Sequence, residues 1–337
     1  MESLRKESRL DPQRLRALRN ELLKKFAPDG VALAHVPQPE RIACHVLDLF
    51  QAVDSSLDGA TKLLFRTPSG LLIESVLLRI ATGRSTLCVS SQVGCAAACA
   101  FCATGKMGIA QNLEPAEILD QVLQAGQRLA AEGRRLDNVV FMGMGEPFHN
   151  EANLHAVLET LTSPQMFDRS PKSLLVSTVG VTGAMERCAE RFPQVNLALS
   201  LHSAVQEKRE TLIPLAKKFS LAELRETVLR INGVQKQAVM IEYLMLQGVN
   251  DASDDARALL EWVRDLRVHI NLIPYNPIDD APSLAATQPS AIAAFAALLK
   301  EAGLKTTVRY SLGNDIAAAC GQLVRMENRQ RKMAALD

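Results

Sequence analysis

The sequence predicts an α/β protein, in which a partial or full parallel β/α barrel follows an N-terminal helical segment and a β-hairpin. Short apolar runs alternate with longer amphipathic runs from residue 86 to residue 308. Strands and helices that alternate in this way form parallel sheets with right-handed crossovers. Six or seven such units in roughly 230 residues are typical of a β/α barrel, and an apolar content of 47% is ample for its core.

Residues 1–60 are predicted to form a helical accessory segment. Apolar residues stand between polar ones there, at Leu10, Leu15, Leu18, Leu22, Val46, Leu49 and Phe50. This spacing predicts two or three amphipathic helices before residue 55. Residues 61–83 alternate apolar and polar positions around the turn sequence Thr67-Pro68-Ser69-Gly70, which predicts a β-hairpin.

The barrel core is predicted to span residues 84–310, and residues 311–337 form a C-terminal segment. The predicted strands are 86–90, 138–142, 174–178, 196–201, 239–246, 270–273 and 306–308. The predicted helices are 114–131, 151–163, 182–190, 205–213, 220–231, 253–266 and 289–302.

Polar or glycine-containing motifs follow or end five of these strands. They are the cysteine run from Cys95 to Cys102, Gly143-Met144-Gly145-Glu146-Pro147, Ser177, Ser200-Leu201-His202 and Tyr275-Asn276-Pro277. In β/α barrels the carboxyl ends of the strands carry the chemistry. The sequence therefore predicts one shared site at that end.

Cys95, Cys99 and Cys102 lie in the run Cys-Ala-Ala-Ala-Cys-Ala-Phe-Cys. Three thiolates at this spacing cap three corners of an iron-sulfur cube and leave one iron open, whereas structural zinc sites and electron-transfer clusters close all four positions. Two alternatives are a zinc site completed by a distant histidine and unligated core thiols. By itself the run resembles the radical S-adenosylmethionine superfamily, whose open iron binds S-adenosylmethionine.

Gly143-Met144-Gly145-Glu146-Pro147 combines close backbone approach at its glycines with a carboxylate at a strand end. Such a carboxylate is suited to accept a hydrogen bond from an ammonium group. The alternative is an ordinary strand-to-helix turn.

Cys88 and Cys320 lie outside the cluster motif, in Leu87-Cys88-Val89-Ser90-Ser91-Gln92-Val93-Gly94 and in Gly313 to Leu323. Together with the motifs at 142–147, 197–202 and 271–277, these stretches resemble the RlmN/Cfr family of radical S-adenosylmethionine RNA methyltransferases. The resemblance covers roughly residues 61–325, in the same order. The resemblance implies one 4Fe-4S cluster with three cysteine ligands and two molecules of S-adenosylmethionine per turnover.

The resemblance also implies roles for individual residues. S-adenosylmethionine would contact Gly145, Glu146, Ser177, Ser200, Leu201, His202 and Asn276. Cys320 would accept a methyl group from one S-adenosylmethionine, and Cys88 would release the product by forming a transient disulfide with Cys320. Glu74 would accept a proton from the adenine ring carbon.

Each of these residues has a structural alternative. Cys88 and Cys320 could be small buried hydrophobes, Glu74 a surface charge on an edge strand, and His202 a hydrogen-bonded core histidine. A radical enzyme acting on another RNA, a small molecule or a peptide would keep the cluster motif and Glu146 but would not need the second pair of cysteines.

The partners expected from the resemblance are RNA, in particular ribosomal RNA methylated at carbon 2 or carbon 8 of adenine, and a reducing electron donor such as flavodoxin. A net charge of +1 gives no overall attraction to nucleic acid. The sequence has no apolar run long enough to span a bilayer, and seven cysteines in a chain of this size do not suit a disulfide scaffold. We therefore expect a cytoplasmic enzyme without a membrane partner.

Overall fold

The computed structural model describes residues 11–34, 36–108, 110–309 and 311–323. The predictions for residues 1–10 and 324–337 lie outside the described residues. The helices are α1 (Pro12–Arg19), which continues into a π-turn over Asn20–Lys24, α2 (Asp29–Leu33), α3 (Pro115–Ala131), α4 (Glu151–Thr162), α5 (Thr182–Arg191), α6 (Gln206–Leu212), α7 (Leu221–Val234), α8 (Ser253–Trp262) and α9 (Pro289–Glu301).

The strands are β1 (Asp48–Asp54), β2 (Ala60–Arg66), β3 (Leu72–Arg79), β4 (Ser85–Cys88), β5 (Gln92–Gly94), β6 (Ala110–Asn112), β7 (Asn138–Phe141), β8 (Leu174–Thr178), β9 (Asn196–Ser200), β10 (Val239–Met245), β11 (Val268–Pro274) and β12 (Thr306–Val308). Ten of them form one sheet, in the order β1-β2-β3-β4-β7-β8-β9-β10-β11-β12. Neighbours from β4 to β12 are parallel. The α/β prediction is therefore confirmed, and because β1 and β12 are the two edges of this sheet, the barrel is partial.

The prediction that residues 1–60 are helical is wrong for residues 48–54. These residues form β1, which pairs antiparallel with β2 across a register shift between Leu49 and Gln51. Leu49 and Phe50 are exposed instead of buried on a helix face. Pairing with β2 satisfies the backbone groups of this segment along the edge of the sheet, and the spaced apolar residues do not reveal that tertiary contact.

The extension at 61–83 is continuous with the barrel. β2 and β3 pair antiparallel on either side of the turn at Gly70, and β3 pairs antiparallel with β4, where Val76 faces Cys88. The extension therefore forms part of the wall beside Cys88.

A second, two-stranded sheet joins β5 to β6. The sequence did not predict these three-residue strands, which are too short for a periodic signal. They bracket the cysteine run, so that both ends of its loop are fixed.

The core lies between the sheet and its surrounding helices. Leu87, Val139, Val176, Leu199 and Ile241 lie on one face of the parallel strands and are each at most 1% exposed. No helix among the described ranges is both long and apolar enough to cross a membrane.

Candidate active site

A cavity of about 370 Å³ opens at the carboxyl ends of the parallel strands. Active sites of β/α barrels lie at this end. The residues named in advance that line it are Cys88, Cys95, Cys99, Cys102, Gly145, Glu146, Ser177, Ser200, His202 and Cys320. Residues from almost the whole length of the chain thus meet at one site.

The loop carrying Cys95, Cys99 and Cys102 is tightly folded. Ala98 adopts a left-handed conformation with φ 52°, and a Cβ at Gly105 would lie 3.0 Å from the backbone nitrogen of Cys99. Both features curl the loop so that its three thiols line the same cavity.

Backbone N–H groups already point at two of these sulfurs. Ala97 and Ala98 donate to Cys95, and Thr104 and Gly105 donate to Cys102. Burial raises the pKa of the Cys95 thiol to about 12, so a metal is needed to hold it as a thiolate. No group of three or more histidine, cysteine or acidic side chains in the described chain could hold a metal ion. A four-iron cube does not need such a group, because each thiolate binds a different iron.

The Gly143-Met144-Gly145-Glu146 turn packs directly on β5 and the residues before it. A Cβ at Gly143 would lie 2.6 Å from the Val89 oxygen, and one at Gly145, where φ is 104°, would lie 2.6 Å from Gln92 Cβ. Larger residues would therefore push Glu146 away from the cavity.

Glu146 is held by the backbone. Its Oε1 accepts from the Phe148 N–H at 3.1 Å and its Oε2 from the Val179 N–H at 2.9 Å. Burial raises the pKa of Glu146 to about 7, although these N–H donors oppose the shift. The carboxylate is thus oriented in the cavity with lone pairs left for a cationic donor.

His202 follows β9 in a left-handed conformation with φ 59°. Its Nδ1 accepts the Leu244 N–H at 3.0 Å, so a proton sits on Nε2. Burial, above all, and the nearby Arg209 lower the pKa of His202 to about 3. It is therefore a neutral, hydrogen-bonded histidine, as the structural alternative expected, and it also lines the cavity.

Ser177 and Ser200 are neighbours across the cavity wall, with their Oγ atoms 3.5 Å apart. Leu201 and Asn276 are not among the cavity-lining residues. Leu201 is fully buried. Asn276 donates to Ser311 Oγ at 3.0 Å and to the Cys320 oxygen at 3.3 Å.

The segment that carries Cys320 is anchored at both ends. On one side, the Gly313 N–H donates to Asp58 Oδ2 at 2.8 Å, and Ser55 Oγ donates to Asp315 Oδ1 at 2.8 Å. On the other side, the Ala103 N–H donates to the Gly321 oxygen at 2.7 Å. The segment thus spans from the β1–β2 turn to the cysteine loop.

Cys88 lies at the end of β4, 6% exposed. Burial, above all, and the nearby Cys320 raise the pKa of its thiol to about 12, against an opposing effect of Arg309. Both thiols line the cavity, so the two cysteines lie close enough to influence each other's charge.

Glu74 is fully buried on β3, which contradicts the alternative of a surface charge. Its Oε1 lies 3.7 Å from Lys62 Nζ. It stands two residues before Val76, on the same face of the sheet, and Val76 pairs with Cys88. Glu74 is not among the cavity-lining residues.

Two cavity-lining charged residues were missed by sequence reasoning, Glu242 on β10 and Arg309 after β12. Glu242 is 2% exposed and its Oε2 accepts from Asn271 Nδ2 at 2.8 Å. The Coulombic attraction of Cys320, above all, and of Glu242 raises the pKa of Arg309. A charged residue inside the otherwise apolar strand 239–245 was the available signal for Glu242.

Comparison with known proteins first defines the class. Residues 89–263 match the model of the Radical SAM superfamily. The crystal structure of a radical SAM methyltransferase from Sphaerobacter thermophilus is similar to this one. The two match with a TM-score of 0.90 and 37% sequence identity, over 96% of this chain and 95% of that one. The radical SAM fold is therefore confirmed, and this superfamily implies a 4Fe-4S cluster and S-adenosylmethionine.

Proteins of similar sequence then indicate the family within this superfamily. A protein of Rhodopirellula baltica named "Probable RNA methyltransferase" is 63% identical over 99% of this chain and 88% of its own length. The "Dual-specificity RNA methyltransferase RlmN" of Anaeromyxobacter dehalogenans is 44% identical over 83% of this chain and 77% of its own length. The chain belongs to the RlmN family of radical SAM RNA methyltransferases, as the sequence motifs predicted.

Proposed function

We propose that this protein methylates carbon 2 or carbon 8 of an adenine in ribosomal RNA, through an S-methylated Cys320 and a transient Cys88–Cys320 disulfide. The observation that carries the proposal is the meeting of Cys88 and Cys320 in the cavity that also contains the three thiols of the cysteine loop. A radical enzyme that needs only the cluster has no use for this second pair.

The donor set fits a 4Fe-4S cluster held by Cys95, Cys99 and Cys102, because the thiols share one cavity and backbone N–H groups point at two of them. Such a cluster, with S-adenosylmethionine bound, supplies the radical that activates a methyl carbon for attack on the ring. Glu146 is oriented to hold the methionine ammonium group. Ser177, Ser200 and His202 are placed to contact the remainder of S-adenosylmethionine, two molecules of which serve one turnover.

The chemistry of the chain's own residues starts at Cys320. An adenine ring carbon is electrophilic and does not displace a sulfonium methyl group, whereas a thiolate does. The Cys320 sulfur gains a bond to the methyl carbon as the sulfonium loses it. Arg309 is a cation in electrostatic contact with this sulfur.

Release of the product needs a second thiolate. Once the methyl carbon is bonded to the ring, Glu74 accepts the proton of the substituted ring carbon, and the oxidised 4Fe-4S cluster would take up the unpaired electron that the radical addition leaves on the ring. Cys88 then attacks the Cys320 sulfur, a disulfide bond forms, and the carbon–sulfur bond to the methylated adenine breaks with its electron pair. The leaving carbon takes up a proton and becomes the methyl group.

The RNA must present an unstacked adenine to this cavity, which favours a loop or a partly unfolded region as the substrate. The relatives named RlmN are RNA methyltransferases, and this is the support for an RNA substrate. The reducing electron donor is proposed to be a small redox protein such as flavodoxin.

Mass spectrometry of ribosomal RNA fragments tests the proposal. Fragments from cells that produce the protein should contain an adenine with an added ring methyl group, and fragments from cells that lack it should not. Fragmentation of the base distinguishes carbon 2 from carbon 8. Identical ribosomal RNA from both cells, together with a visible spectrum that changes when S-adenosylmethionine is added, would favour a radical enzyme with another substrate.

A further inference from the structure

Arg209, on α6, is a charged residue that the proposed chemistry does not use. It is fully buried. Its Nε donates to the Leu201 oxygen at 3.2 Å and its Nη2 to the Val179 oxygen at 2.6 Å. Nη1 has no hydrogen-bond partner among the described residues. The guanidinium thus fixes two strand-end segments of the site and still has donor capacity left.

This arginine has no carboxylate to balance it within the described part of the chain. The ionisable groups that interact with it are the Cys99 thiol and the neutral His202. Burying a cation without an anion is costly, and proteins normally pair such a charge or bind a group that compensates it. The missing negative charge therefore has to come from something bound in the site.

The position of Arg209 indicates which bound group supplies this negative charge. The Ala100 N–H, between Cys99 and Cys102, donates to the oxygen of Leu212, the last residue of α6, at 2.9 Å. Ala97, Cys99 and Leu212 belong to one buried apolar cluster, against which Cys95 and Cys102 pack. α6 and the cysteine loop are thus packed together, with Cys99 in electrostatic contact with the Arg209 guanidinium.

We propose that Arg209 is the buried counter-charge of the iron-sulfur cluster, and that it raises the reduction potential of the cluster while holding the ends of β8 and β9 in place. A 4Fe-4S cube with thiolate ligands carries a net negative charge that grows on reduction. A nearby cation in a low-dielectric interior stabilises the reduced form more than the oxidised form. Arg209 is therefore a positioning residue, which acts through the cluster.

The inference rests on the cluster of the proposed function and not on the RNA chemistry. Iron content and the visible spectrum of the reconstituted wild-type protein establish the cluster first. If no cluster forms there, the proposed function fails. If the cluster forms and Arg209 does not affect it, the counter-charge fails alone.

The test is a redox titration of reconstituted Arg209→Gln, Arg209→Lys and wild-type protein. Arg225→Gln is the matched control, because Arg225 also donates through Nε and Nη2 to two backbone oxygens, those of Trp262 and Arg264, but lies on α7 instead of α6, the helix that bonds the cysteine loop. We expect the midpoint potential to shift to more negative values in Arg209→Gln. Arg209→Lys and Arg225→Gln should stay close to wild type.

A second readout is thermal stability with and without the cluster. Reconstitution should raise the Tm of Arg209→Gln by less than it raises the Tm of wild type, since the variant has no buried charge to balance. Unchanged potential in Arg209→Gln, or an equal shift in Arg209→Lys, would overturn the proposal. If Arg209→Gln does not fold, Arg209→Met, which also removes the charge, is titrated in its place: a negative shift supports the proposal and an unchanged potential contradicts it.

Discussion

Single residues decide which reaction this barrel performs. The cysteine loop and Glu146 would serve any radical enzyme of this superfamily, whereas in the proposed function Cys88 and Cys320, which line the same cavity, add a second sulfur chemistry. The predictions at this scale therefore separate the two thiols from the cluster and from each other.

Cys320→Ala should abolish RNA methylation and leave iron content and the visible spectrum of the cluster unchanged. The alanine keeps the backbone bonds of the segment but offers no sulfur to accept a methyl group. Methylation assays with isotopically labelled S-adenosylmethionine, paired with iron analysis, check this. Cys188→Ala is the control, because Cys188 is a buried thiol on the outer helix α5 and not among the cavity-lining residues.

Cys88→Ala should leave RNA covalently attached to the protein. Without the second thiolate, the bond between the Cys320 sulfur and the transferred carbon has no group to break it. Denaturing gels and mass spectrometry of nuclease-treated protein detect the adduct. Recovery of free methylated RNA at the wild-type rate would contradict the release step.

Glu146→Gln should weaken S-adenosylmethionine binding by about tenfold or more, because a charge-assisted hydrogen bond contributes roughly 1.5–3 kcal/mol. One carboxylate oxygen would also become an amide that faces a backbone N–H. Equilibrium dialysis measures the Kd. Glu151→Gln changes instead the ion pair between Glu151 on α4 and Arg187 on α5, so this variant should bind S-adenosylmethionine as wild type does.

Elements, rather than residues, place Cys320. The β1–β2 turn contacts the start of the C-terminal segment through Asp58, and the loop after Cys102 contacts its end. In the proposed function the β extension is therefore part of the catalytic unit, because it anchors the segment that carries Cys320.

Asp58→Ala should lower the fraction of protein with a methylated Cys320 by about fivefold, since loss of a hydrogen bond costs about 1 kcal/mol in the ordered segment. Peptide mass spectrometry of Cys320 gives this fraction. Asp54→Ala is the control, because Asp54 lies on the same hairpin but bonds Thr61 and Arg128. Equal losses in both variants would show that the hairpin acts only through general stability.

At the scale of the whole molecule, the N-terminal segment packs against α3 of the barrel. Gly126 on α3 lies against the Phe26 ring, where a Cβ would come within 2.3 Å of a ring carbon. Earlier on the same helix, Asp120 contacts His45, which lies between Asp29 and Asp120 with its Nδ1 2.6 Å from Asp120 Oδ1. Both apolar packing and charged contacts thus hold the N-terminal segment against α3.

Gly126→Ala should destabilise the protein by about 1–3 kcal/mol, the usual cost of overpacking a core. Gly233→Ala should instead stabilise it by about 0.5–1 kcal/mol, because this glycine, also in a helix, has open space around it. Urea unfolding of both variants measures the two effects. The same sign for both would contradict the packing of Phe26 on α3.

The stability that His45 contributes should depend on pH. The hydrogen bond to Asp120 raises the pKa of His45 above 6.5, the value of the unfolded chain. The contribution is thus fully present below pH 6.5 and is lost as the pH rises through the folded pKa. Unfolding of His45→Gln and wild type should differ more at pH 6 than at pH 9. His269→Gln, at a histidine whose pKa burial lowers, should lack this trend.

Much of the barrel could be predicted because its signals are local. Strand and helix periodicity located β7 to β12 within a few residues, and short motifs, most of them at strand ends, named ten of the cavity residues. β1 was missed because Leu49 and Phe50 suit an amphipathic helix as well as a strand that pairs with β2. Arg209 and Glu242 were missed because their roles depend on contacts between elements distant in sequence.

The two bonds from the cysteine loop to the C-terminal segment, Ala103 to Gly321 and Thr104 to Leu323, have one more consequence. Loss of the proposed cluster in air should also displace Cys320, the proposed methyl acceptor, since one stretch of backbone supports both. Inactivation by oxygen should therefore appear as a single event, with amide exchange accelerating at residues 103 and 321 together.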